Sequence, residues 1–163
     1  MTEQPKWLPQ MVSTDGQWNE VLKALYSIFE SDIKYGNLKL CGLMVWWDRR
    51  IKSGENYEEG FWHLIERDNR EAGERQFDPR RAERLPWCRT CVDNYTDISI
   101  KFWDNKDSQK IDTYIWLENY DYVIIFQKRK LRKGIIYFLK TAYYVEGDAT
   151  KLKLRKRFNE RVT

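Results

Sequence analysis

Apolar positions change their spacing about halfway along this chain. Between Trp18 and Phe29, the residues Trp18, Val21, Leu22, Leu25, Ile28 and Phe29 recur at three- and four-residue steps. That is the stripe of an amphipathic helix, which the spacing ends near Gly36. From Ile98 onward the period becomes two. Ile98, Ile100 and Phe102 alternate with polar or outward positions, as do Ile111, Thr113, Ile115 and Leu117. Tyr122–Lys128 and Ile135–Val145 supply two further strands, the last the longest. Short connections through Asn119-Tyr120-Asp121 and Lys130–Gly134 predict an antiparallel meander of four strands. Within Ile135–Val145, strict alternation places Tyr137, Leu139, Thr141, Tyr143 and Val145 on one face, and Lys140, Ala142 and Tyr144 on the other.

Between these halves the pattern is mixed. Leu40–Trp47 is bulky and apolar and reads as a short strand or a buried turn. Phe61–Glu66 is too short for periodicity to decide its type. Residues 52–60 and 67–77 are polar and read as loops, the second a mobile one. Asp78-Pro79 starts a helix, since Asp caps free amides and Pro fits the first helical position. Pro86 should kink or restart that helix before Trp87–Asn94. Residues 151–162 close as a basic helix with Leu152, Leu154 and Phe158 as its apolar contacts. The expectation is one α+β domain: an irregular arm (1–14), a mainly helical part (15–95), a four-stranded antiparallel sheet (96–147) and a basic C-terminal helix (148–163).

Composition sharpens this picture. The chain has 163 residues, 42% hydrophobic and 15% aromatic, enough for one core. Its apolar runs are too short to cross a bilayer, so no membrane partner is expected. No basic-then-apolar leader opens the sequence, and three irregularly spaced cysteines make no disulfide framework. Both features fit a reducing, cytoplasmic compartment. The net charge of +4 is unevenly spread: residues 128–157 carry eleven Lys and Arg against Glu146 and Asp148 only. A basic third on a mildly acidic body favours polyanions, although a solvated lysine-rich helix and hairpin have the same composition.

Candidate chemistry is narrowed by what is missing. One histidine rules out a His-pair zinc motif, and Cys88-x-x-Cys91 has no second pair. Neither a phosphate-binding P-loop nor a dinucleotide glycine fingerprint is present, so no cofactor and no metal site is expected. His63 lies in Phe61-Trp62-His63-Leu64-Ile65, where it is either a packed core residue or an acid/base group able to move protons near neutrality. Arg80, Arg81, Arg84 and Arg89 are the densest arginine group ahead of the sheet. Arg80 and Arg84 would share a helical face, as phosphate clamps or as half of a salt-bridged surface. Thr141 and Tyr143 can contact a phosphate and a base, or simply belong to a tyrosine-rich strand.

The order of these segments resembles the barnase–EndoU–colicin–RelE-like fold of small RNases, in its phage and mobile-element branch. FWHLIERD (61–68), FDPRRAERLPW (77–87), FW-D (102–104), YIWLENYDYVIIFQKR (114–129) and FLKTAYYVEGD (138–148) carry the likeness, over about residues 40–160. The resemblance implies a toxin-type, metal-independent endoribonuclease that cuts through a 2′,3′-cyclic phosphate. It assigns His63 as acid/base, Arg84 as phosphate clamp, and Thr141 and Tyr143 as catalytic-strand contacts. Arg80, Arg81, Lys140, Lys151, Lys153 and Arg155 would bind substrate. RNA, with tRNA one candidate, and an immunity or antitoxin protein would be its partners. The rival expectations are a non-catalytic nucleic-acid-binding or inhibitor protein of the same shape, and a structural phage protein that uses the basic tail.

Overall fold

The computed structural model describes residues 4–69, 71 and 73–163; residues 1–3 of the arm and two positions of the 67–77 segment lie outside the described residues. The architecture is α+β. Helix α1 (Trp18–Phe29) buries Val21, Leu25 and Phe29, the stripe expected of its spacing. It runs into one π-type turn (Glu30–Lys34) and stops at Gly36. A side chain at Gly36 would collide with the Asp32 carbonyl and with Arg89. Arg89 Nη1 donates there to the carbonyls of Asp32 (2.9 Å) and Gly36 (2.5 Å), so the helix end is closed by a guanidinium from another helix.

The four expected strands are present and antiparallel: β5 (Lys101–Asp107), β6 (Lys110–Leu117), β7 (Tyr122–Leu131) and β8 (Gly134–Tyr144). The sheet itself is larger and mixed. Chain order β1 (Lys39–Leu40) and β2 (Leu43–Trp46) extend it to six strands in the spatial order β1-β2-β8-β7-β6-β5, with β2 parallel to β8. The expectation of a four-stranded antiparallel sheet is corrected on both counts. The cause lies in Leu40–Trp47, whose alternation buries Val45 and Trp47 while Met44 and Trp46 stay open, a pattern that fits the edge of a sheet. The first of the four strands also begins later than Ile98. Asp97 Oδ1 accepts from the Ser99 amide (2.9 Å) and hydroxyl (2.6 Å), holding a turn that leaves Ile98 in solvent.

Two other segments resolve what periodicity left open. Glu59–Trp62 is a short helix, α2. The polar stretch read as a mobile loop contains a hairpin, β3 (Glu66–Asn69) with β4 (Glu74–Phe77). Phe77 fixes one end of that hairpin, edge-on to Trp18 with ring centroids 4.7 Å apart. The helix starting at Asp78-Pro79 forms as expected. Asp78 Oδ1 accepts the amides of Arg80 (3.1 Å) and Arg81 (3.2 Å) to cap α3 (Pro79–Glu83). The chain breaks at Arg84 and restarts as α4 (Leu85–Asp93), with Pro86 in its first turn.

The sheet has two unlike faces. Its inner face packs Ile115, Leu117, Tyr122, Ile124, Phe126, Tyr137, Leu139 and Ala142 against residues of α1, α2 and α4 in the main core. Its outer face carries a smaller cluster of Trp103, Tyr114, Trp116, Val123 and Val145, covered by α5 (Asp148–Asn159) through Leu154 and Phe158. Burying Leu154 contributes on the order of 2 kcal/mol. Leu152 stays exposed.

The strict alternation expected along the last strand does not hold. Ile125 pairs with Thr141 and Phe126 with Leu139, so Lys140 is an extra residue, a β-bulge. The bulge shifts the alternation by one. Tyr137 and Leu139 face the inner core, whereas Thr141, Tyr143 and Val145 turn to the outer face.

Candidate functional site

Beyond its short pairing with β2, strand β8 leaves one side open from Leu139 onward, and the end of α2 and helix α3 close against it. The junction is a cleft of about 240 Å³ lined by His63, Glu66, Asp68, Arg75, Arg81, Thr141 and Tyr143. Residues from the end of α2, the β3–β4 hairpin, α3 and the post-bulge half of β8 therefore meet at one place. The bulge is what brings Thr141 and Tyr143 to it.

Arg81 is the fastener. Its Nη1 donates to the His63 carbonyl (3.0 Å), to the Glu66 carbonyl and to Thr141 Oγ1 (3.4 Å), and its guanidinium lies 5.6 Å from the Tyr143 ring. Thr141 Oγ1 also donates to the His63 carbonyl, at 3.3 Å. The backbone at His63 is thus tied to two elements, which leaves the imidazole to the cleft. Among the described residues, nothing hydrogen-bonds that imidazole. Arg81 Nε is buried without a hydrogen-bond partner, with Asp78 Oδ2 3.8 Å away.

The environment moves several protons. Burial lowers the His63 pKa below its ordinary 6.5; Arg75 adds to this, and Glu59, Asp48 and Asp68 oppose it. At pH 7 the imidazole is neutral and free to accept a proton. Glu66 moves the opposite way: burial raises its pKa above 4.5, aided by Glu55 and Glu59 and opposed by Arg75 and Arg81. Burial also raises the Tyr143 pKa, so its phenol keeps its proton, a donor facing the same space. Burial lowers the Arg81 pKa, but a guanidinium titrates so high that it stays cationic. The cleft therefore holds a neutral base, a carboxyl that protonates readily, a phenol and two guanidinium groups.

Of the residues singled out in the sequence, His63, Arg81, Thr141 and Tyr143 are brought together. Arg84 is not with them. It stacks between Tyr144 (4.4 Å to the ring centroid) and Trp87 (5.3 Å), and lines a different pocket with Pro9, Met11, Tyr120 and Asp121. Arg80 lies over the same Tyr144 ring, at 5.1 Å, so Arg80 and Arg84 do share a face. In the His63 cleft it is Arg81 that holds the place assigned to Arg84. The restart at Pro86 explains the exchange, because it takes Arg84 out of α3 and leaves Arg81 in its last turn.

The remaining basic residues are scattered. Lys140 at the bulge pairs with Asp112 (3.2 Å), Lys151 with Asp121 (3.1 Å) and Arg155 with Glu118 (3.5 Å). Lys153 is exposed on α5. Glu66 and Arg75 escaped the sequence reading, although Glu66 stands three residues after His63 and Arg75 sits in the stretch read as loop. Arg75 forms a close ion pair with the buried Glu59, and Lys52 reaches Glu59 at 3.3 Å. Among the described residues, no three His, Cys, Asp or Glu side chains are grouped to hold a metal ion. No helix among them is long and apolar enough to cross a membrane. Compared with profiles of protein families, with curated proteins and with solved structures, the chain matches none.

Proposed function

We propose that this chain is a metal-independent endoribonuclease of the toxin type, cleaving RNA by attack of a 2′-hydroxyl on the adjacent phosphate. The observation that carries the reading is the meeting of His63, Glu66, Arg81, Thr141 and Tyr143 in one cleft. Transesterification needs one group to take the 2′-hydroxyl proton, another to protonate the leaving 5′-oxygen, and fixed positive charge for the phosphorane. His63 and Glu66 are the proton-transfer pair, one neutral and one readily protonated. Arg81 and Arg75 supply the charge. Tyr143 donates a hydrogen bond to a phosphate oxygen, and Thr141 contacts the substrate beside it while its own proton goes to the His63 carbonyl. The products are a 2′,3′-cyclic phosphate and a free 5′-hydroxyl, with atoms balanced by the two proton transfers. An RNA substrate, tRNA among the candidates, an immunity or antitoxin partner and a cytoplasmic location belong to the same proposal.

Of the second reading, a non-catalytic nucleic-acid-binding or inhibitor protein, one observation favours the inhibitor form. The larger depression beside the cleft is lined by Glu55, Glu59, Glu66, Asp68 and Glu74 against Lys52 and Arg75, a field that repels phosphate. Purified wild-type and His63→Ala protein incubated with total RNA in EDTA separate the two. The nuclease reading expects cleavage with cyclic-phosphate ends that His63→Ala abolishes. No cleavage leaves the non-catalytic reading, and cleavage indifferent to His63→Ala removes His63 from the chemistry.

A further inference from the structure

Next to the cleft, the outer face of the sheet is left bare. Helix α5 packs on this face with Trp103, Tyr114, Trp116, Val123 and Val145, a cluster that includes no residue of β2 or of the β7–β8 turn. On the other side, Trp46 of β2 and Phe138 of β8 are register partners and so stand side by side on the outer face. Trp46 is 46% exposed. The Arg129 guanidinium lies over the Phe138 ring, 3.7 Å from its centroid, so a planar cation is stacked beside the exposed indole. Met44, two residues before Trp46 on the same strand, extends it and is 43% exposed.

The charge around this surface differs from that elsewhere on the molecule. Arg129, Lys130, Arg132 and Lys133 crowd the β7–β8 turn, all exposed, and among the described residues none has an acidic partner. By contrast Lys128, Lys140, Lys151 and Arg155 are each paired with a carboxylate. Flat π-surfaces flanked by uncompensated cations fit a polyanion with flat bases, and duplex nucleic acid hides its base faces. Phe138 precedes Thr141 by three residues, roughly 10 Å along the strand. The bulge keeps both on the outer face. A strand laid along β8 reaches the cleft from this side and avoids the carboxylates around the β3–β4 hairpin.

We propose that Trp46, Phe138 and Arg129, with the cations of the β7–β8 turn, form a stacking platform for single-stranded RNA a few nucleotides from the bond held in the His63 cleft. The platform rests on the RNA reading for its substrate, but binding can be measured without cleavage. The probe is a fluorescein-labelled 2′-O-methyl oligouridylate of twelve residues, which cannot be cut by 2′-hydroxyl attack, followed by anisotropy with the full chain at several salt concentrations. Trp46→Ala should weaken binding about tenfold, the typical loss of one stacked base. Arg132→Gln with Lys133→Gln should flatten the slope of log affinity against log salt by about 1.4, two single-strand phosphate contacts. Lys23→Gln on α1 should change neither. Circular dichroism checks that each variant is folded.

Binding by wild type that is indifferent to both changes overturns the platform. So does the absence of binding, or a wild type that self-associates through this face in sedimentation while Trp46→Ala stays monomeric. Binding that is sensitive to Trp46→Ala, in a protein that never cuts natural RNA, upholds the platform and defeats the nuclease reading. Cleavage of a dinucleotide with no change in Trp46→Ala binding does the reverse.

Discussion

The two faces of the sheet are made from the same strands and have opposite fates. The inner face is sealed: Leu25 and Phe29 of α1, Phe61 of α2 and Leu85 and Cys88 of α4 meet it with essentially no solvent exposure. The outer face is covered along one part by a single helix and left open beyond it, with Trp46 and Met44 in water. The polar groups follow the same division. On the inner layer, carboxylates are consumed in ion pairs, such as Glu58 with the Tyr26 hydroxyl (2.6 Å) and Lys34 (3.1 Å). On the outer face and in the cleft at its margin, an imidazole, a phenol and four turn cations have no partner of opposite charge among the described residues. Sealed surface carries stability, and the open surface is what is left for a ligand.

The sharpest break in that comparison is at the cleft. His63→Ala should lower single-turnover RNA cleavage by roughly 10²–10⁴-fold while thermal unfolding stays near wild type, because the imidazole makes no hydrogen bond within the fold. An unfolded variant would move His63 to the sealed side. The inner layer should respond the other way. Leu25→Ala is expected to cost about 3 kcal/mol in urea denaturation, from transfer and cavity terms together. Glu58→Ala should cost a similar amount by leaving Lys34 and Tyr26 facing an empty site. Neither should alter cleavage at saturating RNA below the unfolding transition.

Acidity separates the two regions next. Glu66 is raised and His63 lowered by burial, so the titrations of the two groups are drawn toward each other. The pH profile of cleavage should be a bell, its acid limb set by protonation of the His63 base and its alkaline limb by loss of the Glu66 proton, and Glu66→Gln should remove the alkaline limb. Stability depends on other carboxylates. Burial pushes the Glu58 and Glu59 carboxyls up, but the hydrogen bonds from Tyr26 and Lys34, and from Arg75 and Lys52, outweigh it and leave both below the usual range. Groups depressed in the folded state stabilise it above their unfolded pKa, near 4.5, and that stability is lost as pH falls through the folded values. The melting temperature should hold through the activity optimum and drop only below about pH 4.5.

The smallest effect concerns α5. Changing Lys151, Lys153, Arg155 and Lys156 to Gln removes four cations, but Lys151 and Arg155 already face Asp121 and Glu118. The salt slope of RNA affinity should flatten by about 1.4 rather than the 2.8 expected of four free contacts. Single-turnover cleavage should be unchanged.

These contrasts explain which parts of the molecule could be read from residues alone. Helix α1, the Asp78-Pro79 cap and the four long strands follow from local spacing, and each lies within a few residues of where that spacing puts it. The parallel partner strand Leu43–Trp46 was ambiguous because its place depends on β8, about ninety residues later. The bulge at Lys140 has no composition signal, yet it decides which face Thr141 occupies. The exchange of Arg84 for Arg81 has the same origin: a break one residue earlier or later would rotate a different guanidinium toward His63. Glu66 was hidden because its raised pKa arises from burial under residues distant in sequence.

The parallel pairing of β2 with β8 also sets an order of events during synthesis. Trp46 can find Phe138 only after the whole meander has been made, and Arg81 waits equally long for Thr141 and Tyr143. Contacts of such long separation close late, after the local helix and hairpins have formed. While the ribosome is still extending the chain through β7, Val45 and Trp47 lack the strand they pair beside, and the cleft lacks one wall. A chain interrupted before Thr141 would therefore expose apolar sheet edge and leave His63 and Arg81 without the strand that completes their cleft. The molecule closes its cleft and loses its stickiest surface in a single late step.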